Sequence, residues 1–140
     1  MVTDEMLLKM MIRTYAFMRR NPDGAGDDLT LKSKGFGSIL DLLALQDGIS
    51  QTELADMARI RRQSAAEALA QLEKEGYVRR EASENDRRAL LVYITDSGRY
   101  VQKVMKTRRE QMAERFFCCL SNEEKENLYA ILLKLENGKE

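Results

Sequence analysis

Residues 50–98 read SQTELADMARIRRQSAAEALAQLEKEGYVRREASENDRRALLVYITDSG, and the order of signals in this stretch decides the fold. Ser50 with Glu53 three residues later is a capping box, in which the serine oxygen and the glutamate side chain each satisfy a free backbone N–H at a helix start. Leu54, Ala55 and Met57 follow as the expected buried side of that short helix. After a tight turn over 58–61, Ala65, Ala68, Leu69 and Leu72 recur at three- to four-residue steps and mark the core face of a second helix, stopped by Gly76 in the C-terminal capping position. Tyr77 to Ala82 and Ala89 to Thr95 are rich in β-formers and flank the polar tip Ser83-Glu84-Asn85-Asp86-Arg87-Arg88, so they read as a two-stranded hairpin. Two short helices, a tight turn and a charged hairpin, in that order, make a winged helix-turn-helix over 34–95.

Outward from this lobe the chain is helical. Phe36, Ile39, Leu40, Leu42, Leu43 and Leu45 form a helix closing at Gly48, and Leu7, Leu8, Met11, Ile12, Tyr15 and Met18 give an amphipathic helix from about Asp4 to Arg20. Between them NPDGAGDD (21–28), with the only proline, breaks the helix and reads as a surface loop. Thr95 caps a long helix from about Asp96 to Cys119, and Ser121 with Glu124 opens a last one ending near Asn137-Gly138. The fold class is therefore mainly α with a small β-hairpin wing: a winged helix-turn-helix lobe plus a helical region. The apolar stripes of 1–20 and 96–140 exceed what one winged lobe covers, which predicts a homodimer built on those segments.

Composition excludes more than it selects. At 140 residues the chain has the length of one domain. It contains no histidine, and so lacks the commonest general base and transition-metal ligand; it also has no GxSxG elbow, phosphate loop or metal cluster. No enzyme, no metal and no cofactor are expected. Cys118 and Cys119 are adjacent, which suits neither a disulfide framework nor a CxxC half-site, and they are expected as buried interface thiols. No apolar run approaches the roughly 18 residues of a membrane span and no signal-peptide pattern opens the chain, so a cytoplasmic protein with no membrane partner is expected. Net charge is zero, but residues 59–88 hold eight basic against six acidic side chains, a mild local excess of positive charge.

The segment from Gly35 to Gly98 resembles the MarR family of regulators. The matching pieces are GFGSILDLL, DGISQTELADMA, SAAEALAQLEKEGYVRR and ENDRRALLVYITDSG. The last is the most specific: an Asp-x-Arg wing tip, a strand, then Leu/Ile-Thr-x-x-Gly, met by Asp86, Arg88, Ile94, Thr95 and Gly98. With its flanking helices the likeness covers nearly the whole chain as a single domain, 1–140. It implies a homodimeric transcriptional regulator, a repressor or an activator, that binds a pseudo-palindromic operator in double-stranded DNA and answers to a small-molecule effector. Branches of the family that sense peroxides use a cysteine in the first helix and those that sense zinc lean on histidines; this chain has neither.

With Ala65, Ala68, Leu69 and Leu72 turned inward, a helical step of about 100° puts Gln63, Glu67, Ala70 and Lys74 on the opposite side, flanked by Ser64 and Ala66. Gln63, Ser64, Ala66 and Glu67 are the base-reading candidates: glutamine suits adenine, glutamate accepts from cytosine N4, and alanine meets a thymine methyl. Glu67 stands where the family often has a basic residue. Arg61 and Arg62 open the helix, Arg61 in place of a capping side chain, so that this start either frays or is held by DNA. Arg87 and Arg88 at the wing tip suit a narrow, electronegative minor groove. Asp86 either holds Arg88 as an ion pair or merely caps the turn. Met1, Met6, Met10, Met11 and Met18, with Met105 and Met112, either line an adaptable effector pocket or only pack. A different class of function also fits a near-neutral winged helix carrying Glu67: a protein-interaction module that never touches DNA.

Overall fold

A computed structural model of the chain describes residues 1–20, 35–86 and 88–138. The NPDGAGDD segment and Arg87 lie outside them. In chain order the elements are α1 (Asp4–Arg20), α2 (Phe36–Leu45), β1 (Ile49–Ser50), α3 (Gln51–Ala58), α4 (Arg62–Lys74), β2 (Val78–Ala82), β3 (Leu90–Ile94), α5 (Asp96–Phe117) and α6 (Asn122–Asn137). The expected hairpin is present, with β2 and β3 antiparallel from Val78 opposite Ile94 to Ala82 opposite Leu90. The sheet holds a third strand that was not expected: β1 pairs with the other side of β3, Ile49 opposite Val92 and Ser50 opposite Leu91, giving the order β1-β3-β2. Two residues carry no readable alternation, and Ser50 is also the N-cap of α3, so the helix start masks the strand. Gly48, at φ +74, turns the chain from α2 into this strand and donates its N–H to the Val92 carbonyl at 3.0 Å.

The lobe closes on Ile39, Leu40 and Leu43 of α2, Leu54 of α3, Leu69 and Leu72 of α4, and Val78 and Val92 of the sheet, all essentially sealed from solvent. Burying a side chain of this size is worth roughly 1.5–3 kcal/mol, so these eight supply the driving force for the winged lobe. Met57 does not join them and is 49% exposed. At about 100° per residue it lies about 110° from the middle of the buried Leu54–Ala55 pair, too far round α3 to reach the core. Met105 of α5 does join it.

The Thr-x-x-Gly pattern at the start of α5 has a direct physical cause. The Thr95 hydroxyl accepts from the Gly98 N–H at 3.1 Å and donates to the Gly76 carbonyl at 2.6 Å, and Ser97 Oγ donates to the same carbonyl at 2.9 Å. Thr95 N–H donates to the Tyr77 carbonyl. This caps α5 and ties it to the end of α4. Any Cβ at position 98 would collide with the Tyr77 carbonyl oxygen, so only glycine permits the approach.

The chain divides into two compact units, Met1–Arg109 and Glu110–Glu140. In the first, α1 has no buried residue. In the second, the Ser121–Glu124 box is complete: Glu124 N–H donates to Ser121 Oγ at 3.1 Å and Ser121 N–H to Glu124 Oε1 at 3.0 Å. The backbone bond from Ser121, then its hydroxyl, holds the Glu124 carboxyl below its ordinary range. At α3 only the serine half of the box forms, Glu53 N–H to Ser50 Oγ at 3.1 Å. Helix α5 stops at Phe117, and Cys118 and Cys119 occupy the turn before the Ser121 cap, where both are exposed in the single chain. Among the described residues no helix is long and apolar enough to cross a membrane.

Candidate nucleic-acid interface

The turn between α3 and α4 is held by backbone bonds from Arg59 N–H to the Asp56 carbonyl and from Ile60 N–H to the Ala55 carbonyl, at 3.2 and 3.1 Å. Arg59 takes the left-handed conformation, φ 55, at a position where glycine is the unstrained choice. Arg61 then occupies the N-cap of α4 with extended backbone and no side-chain capping bond, since a guanidinium has no oxygen to offer. Among the described residues the first N–H groups of α4 therefore have no side-chain acceptor, and they sit at the positive end of the helix dipole with Arg61 and Arg62 beside them. Such a helix start is suited to an anion.

Gln63 and Glu67 are exposed on the side of α4 away from its buried stripe, with Ser64 and Ala66 half-buried at its flanks. Arg62 is exposed and lies 3.6 Å from Asp56. These residues, with Arg61, form one group over the first two turns of α4. Asp86 and Arg88 form a second group at the wing tip. There Asp86 Oδ1 accepts from the backbone N–H of Arg88 at 3.0 Å, and its carbonyl accepts from Ala89 N–H. Of the two roles open to Asp86, this is the turn cap; among the described residues it forms no ion pair with Arg88, whose guanidinium stays exposed. Arg87 lies outside the described residues.

Behind α4 the structure contains a joint that no sequence pattern signals. Arg80, half-buried on β2, donates its N–H to Glu73 Oε2 at 3.0 Å, its Nη2 to Glu73 Oε1 at 3.0 Å, and its Nη1 to Gln51 Oε1 at 3.2 Å. One guanidinium thus links the start of α3, the end of α4 and the root of the wing. The Arg80 side-chain bond, foremost among the causes, holds the Glu73 carboxyl below its ordinary range. Neighbouring Arg79 pairs with Glu81 and lies over the Tyr93 ring, 4.3 Å from its centroid. The basic excess counted along 59–88 is therefore partly neutralised internally. Among the described residues, Arg61, Lys74 and Arg88 have no acidic partner.

Met105 is sealed in the lobe core, while a hollow of about 420 Å³ along α1 takes in Met10 alone of the first-helix methionines.

A family model described as the MarR family matches residues 37–90. The chain is 38% identical over 68 residues to the uncharacterized HTH-type transcriptional regulator YwhA of Bacillus subtilis, an alignment covering 49% of this chain and 49% of that protein. It therefore spans about half the length of that relative. It is 30% identical over 101 residues to the transcriptional regulator HosA of Escherichia coli, covering 72% of this chain and 75% of HosA. Among solved structures, the PcaV transcriptional regulator of Streptomyces coelicolor, in complex with its natural ligand, superposes with a TM-score of 0.81 over 99% of this chain and 95% of that one; at 18% identity the likeness is one of fold.

Proposed function

Because this chain belongs to the MarR family of transcriptional regulators, we propose that it acts as a cytoplasmic homodimer that binds a pseudo-palindromic operator in double-stranded DNA and represses transcription. Each copy seats the start of α4 in the major groove, where Gln63, Ser64, Ala66 and Glu67 meet base edges, while Arg61 and Arg62 meet phosphate. Arg87 and Arg88 of the wing enter the adjacent minor groove, with Asp86 fixing the turn that presents them. The single observation behind this reading is α4 itself: one face is sealed into the core, its opposite polar face is exposed, and its N-terminus has no side-chain cap. Dimerisation through α1, α5 and α6 is supported by apolar side chains that the single chain leaves exposed on α1 and α6. A small-molecule effector modulates binding, a reading supported by the ligand complex of PcaV, which shares the fold.

One observation favours a second reading, a winged-helix module that docks a protein. Arg79 and Arg80 pair with acids and Glu67 projects from α4, so part of the positive charge of this lobe is neutralised within the chain. Titrating salt against operator-sized DNA decides between them. Phosphate contacts require the logarithm of affinity to fall linearly with the logarithm of salt, and Arg88→Ala flattens that slope by about one unit without changing sequence preference. Gln63→Ala costs roughly 1–3 kcal/mol on the operator and relaxes one symmetric pair of positions. If both variants, folded and dimeric, bind DNA as the parent does, the docking module is the correct reading.

A further inference from the structure

Strand β2 lies at one edge of the sheet and leaves the core at Arg80. Val78 is sealed in the lobe, and two residues on Arg80 projects from the same face of the strand, its side chain only 21% exposed. Beyond it Glu81 and Ala82 are exposed. Glu73 of α4 accepts the Arg80 backbone N–H on Oε2 at 3.0 Å, and accepts Nη2 at 3.0 Å and Nε at 3.3 Å on Oε1. Gln51, the first residue of α3, accepts Nη1 at 3.2 Å. Neighbouring Arg79, on the other face of the strand, pairs within the sheet instead, with Glu81 and the Tyr93 ring. Arg80 is therefore the point at which the wing is fastened to both helices just before it projects from the lobe.

We propose that Arg80 is a positioning residue for DNA recognition: its guanidinium, held by Glu73 and Gln51, sets the angle of the wing against α4 so that the two elements enter their grooves together. The inference rests on the DNA-binding reading of α4 and the wing tip. Gln63 stands ten residues before Glu73, about 15 Å along the helix. Asp86 stands six residues after Arg80, up to about 20 Å of extended chain. A swing of about 10° at the root carries a tip at that reach by about 3 Å, half the roughly 6 Å width of the minor groove. A planar guanidinium with acceptors on two sides resists such a swing because its donors point in fixed directions; a lysine ammonium keeps the charge and loses that geometry.

The test uses full-length protein and a DNA duplex that the parent selects from random sequence, with affinity read by fluorescence anisotropy at one salt concentration. Arg80→Lys is expected to weaken binding about tenfold in the parent background, but about threefold or less once Arg88→Ala has removed the wing-tip guanidinium, because Arg80 acts through the wing. Glu73→Gln, made from the other side of the joint, should show the same dependence on Arg88. No loss in Arg80→Lys, or an equal loss in both backgrounds, overturns the inference: a residue that touches DNA itself, or that only stabilises the lobe, gives the latter. Should Arg80→Lys fail to fold by circular dichroism, Gln51→Ala removes one arm and leaves the Glu73 pair. A loss of about threefold that vanishes in the Arg88→Ala background then supports the joint, and no loss or an equal loss overturns it. A parent that binds no duplex, or binds it equally well after Arg88→Ala, removes the reading of the wing and this inference with it.

Discussion

Helices α1 and α4 both carry an apolar stripe, and the chain treats the two oppositely. On α4, Ala65, Ala68, Leu69 and Leu72 are all buried, against α2, α3 and the sheet. On α1, Leu7, Leu8, Met11, Ile12 and Tyr15 are each about half exposed or more, and the helix buries no residue at all. Helix α6 behaves like α1, with Tyr129, Ile131 and Leu135 exposed. The winged lobe is thus stabilised within one chain, whereas α1 and α6 carry faces that only a further surface can cover. Contiguous apolar exposure of this kind marks an interaction site rather than ordinary surface.

Substitutions in the two kinds of helix should separate cleanly. Leu69→Ala removes a side chain with no solvent exposure and is expected to lower stability by about 2–5 kcal/mol in a denaturant melt, at any protein concentration. Ile12→Glu on α1 is expected to leave the fold of the lobe intact by circular dichroism. It should weaken self-association in sedimentation by about 1.5–3 kcal/mol per copy, the value of one apolar side chain buried between copies. If Ile12→Glu unfolds the lobe, or leaves association unchanged, the contrast between the helices is not one of intrachain against interchain burial.

A smaller effect tests how the lobe is braced. Glu73 is held ionised by Arg80, so its contribution is present above the ordinary carboxylate value of 4.5 and is lost as pH falls through its depressed folded value. Its side chain is 39% exposed, which limits the expected cost of Glu73→Gln to about 1 kcal/mol at neutral pH. In acid the parent loses this advantage and the two proteins converge. A difference that persists unchanged in acid would assign the effect to packing instead of charge.

Much of this architecture was legible in the sequence because the signals were local and redundant. The stripe on α4, the Gly76 stop at φ +81, the Thr95 cap and the complete Ser121–Glu124 box each rest on residues within a few positions of one another. What escaped was long-range or too brief. β1 is two residues long, and the Arg80–Glu73–Gln51 joint connects positions up to 29 apart with no periodicity. Residues facing away from the core on α4 could be read in the same way as those facing in, since one helical step fixes both. The end of the long helix was read two residues too late for a related reason: it stops at Phe117, and Cys118 and Cys119 lie in the turn that follows, exposed in the single chain.

The smallest expected effect lies at the turn between α3 and α4. Arg59 holds φ 55 and ψ 41, where its Cβ crowds the following carbonyl at a cost of about 1–2 kcal/mol that glycine avoids. Glycine also frees the unfolded chain, offsetting about 0.4–1 kcal/mol of that gain. Arg59 has a further interaction besides its turn bonds, so Arg59→Ala is the necessary reference: it removes the rest of the side chain but keeps the Cβ. Arg59→Gly is therefore expected to be more stable than Arg59→Ala by about 0.5–1 kcal/mol in denaturant unfolding. Self-association should be the same in both variants, because the turn belongs to the lobe and not to α1 or α6. Equal stability of the two would mean that the left-handed turn carries no strain, while a change in association would tie the α3–α4 turn to the faces that the lobe leaves uncovered.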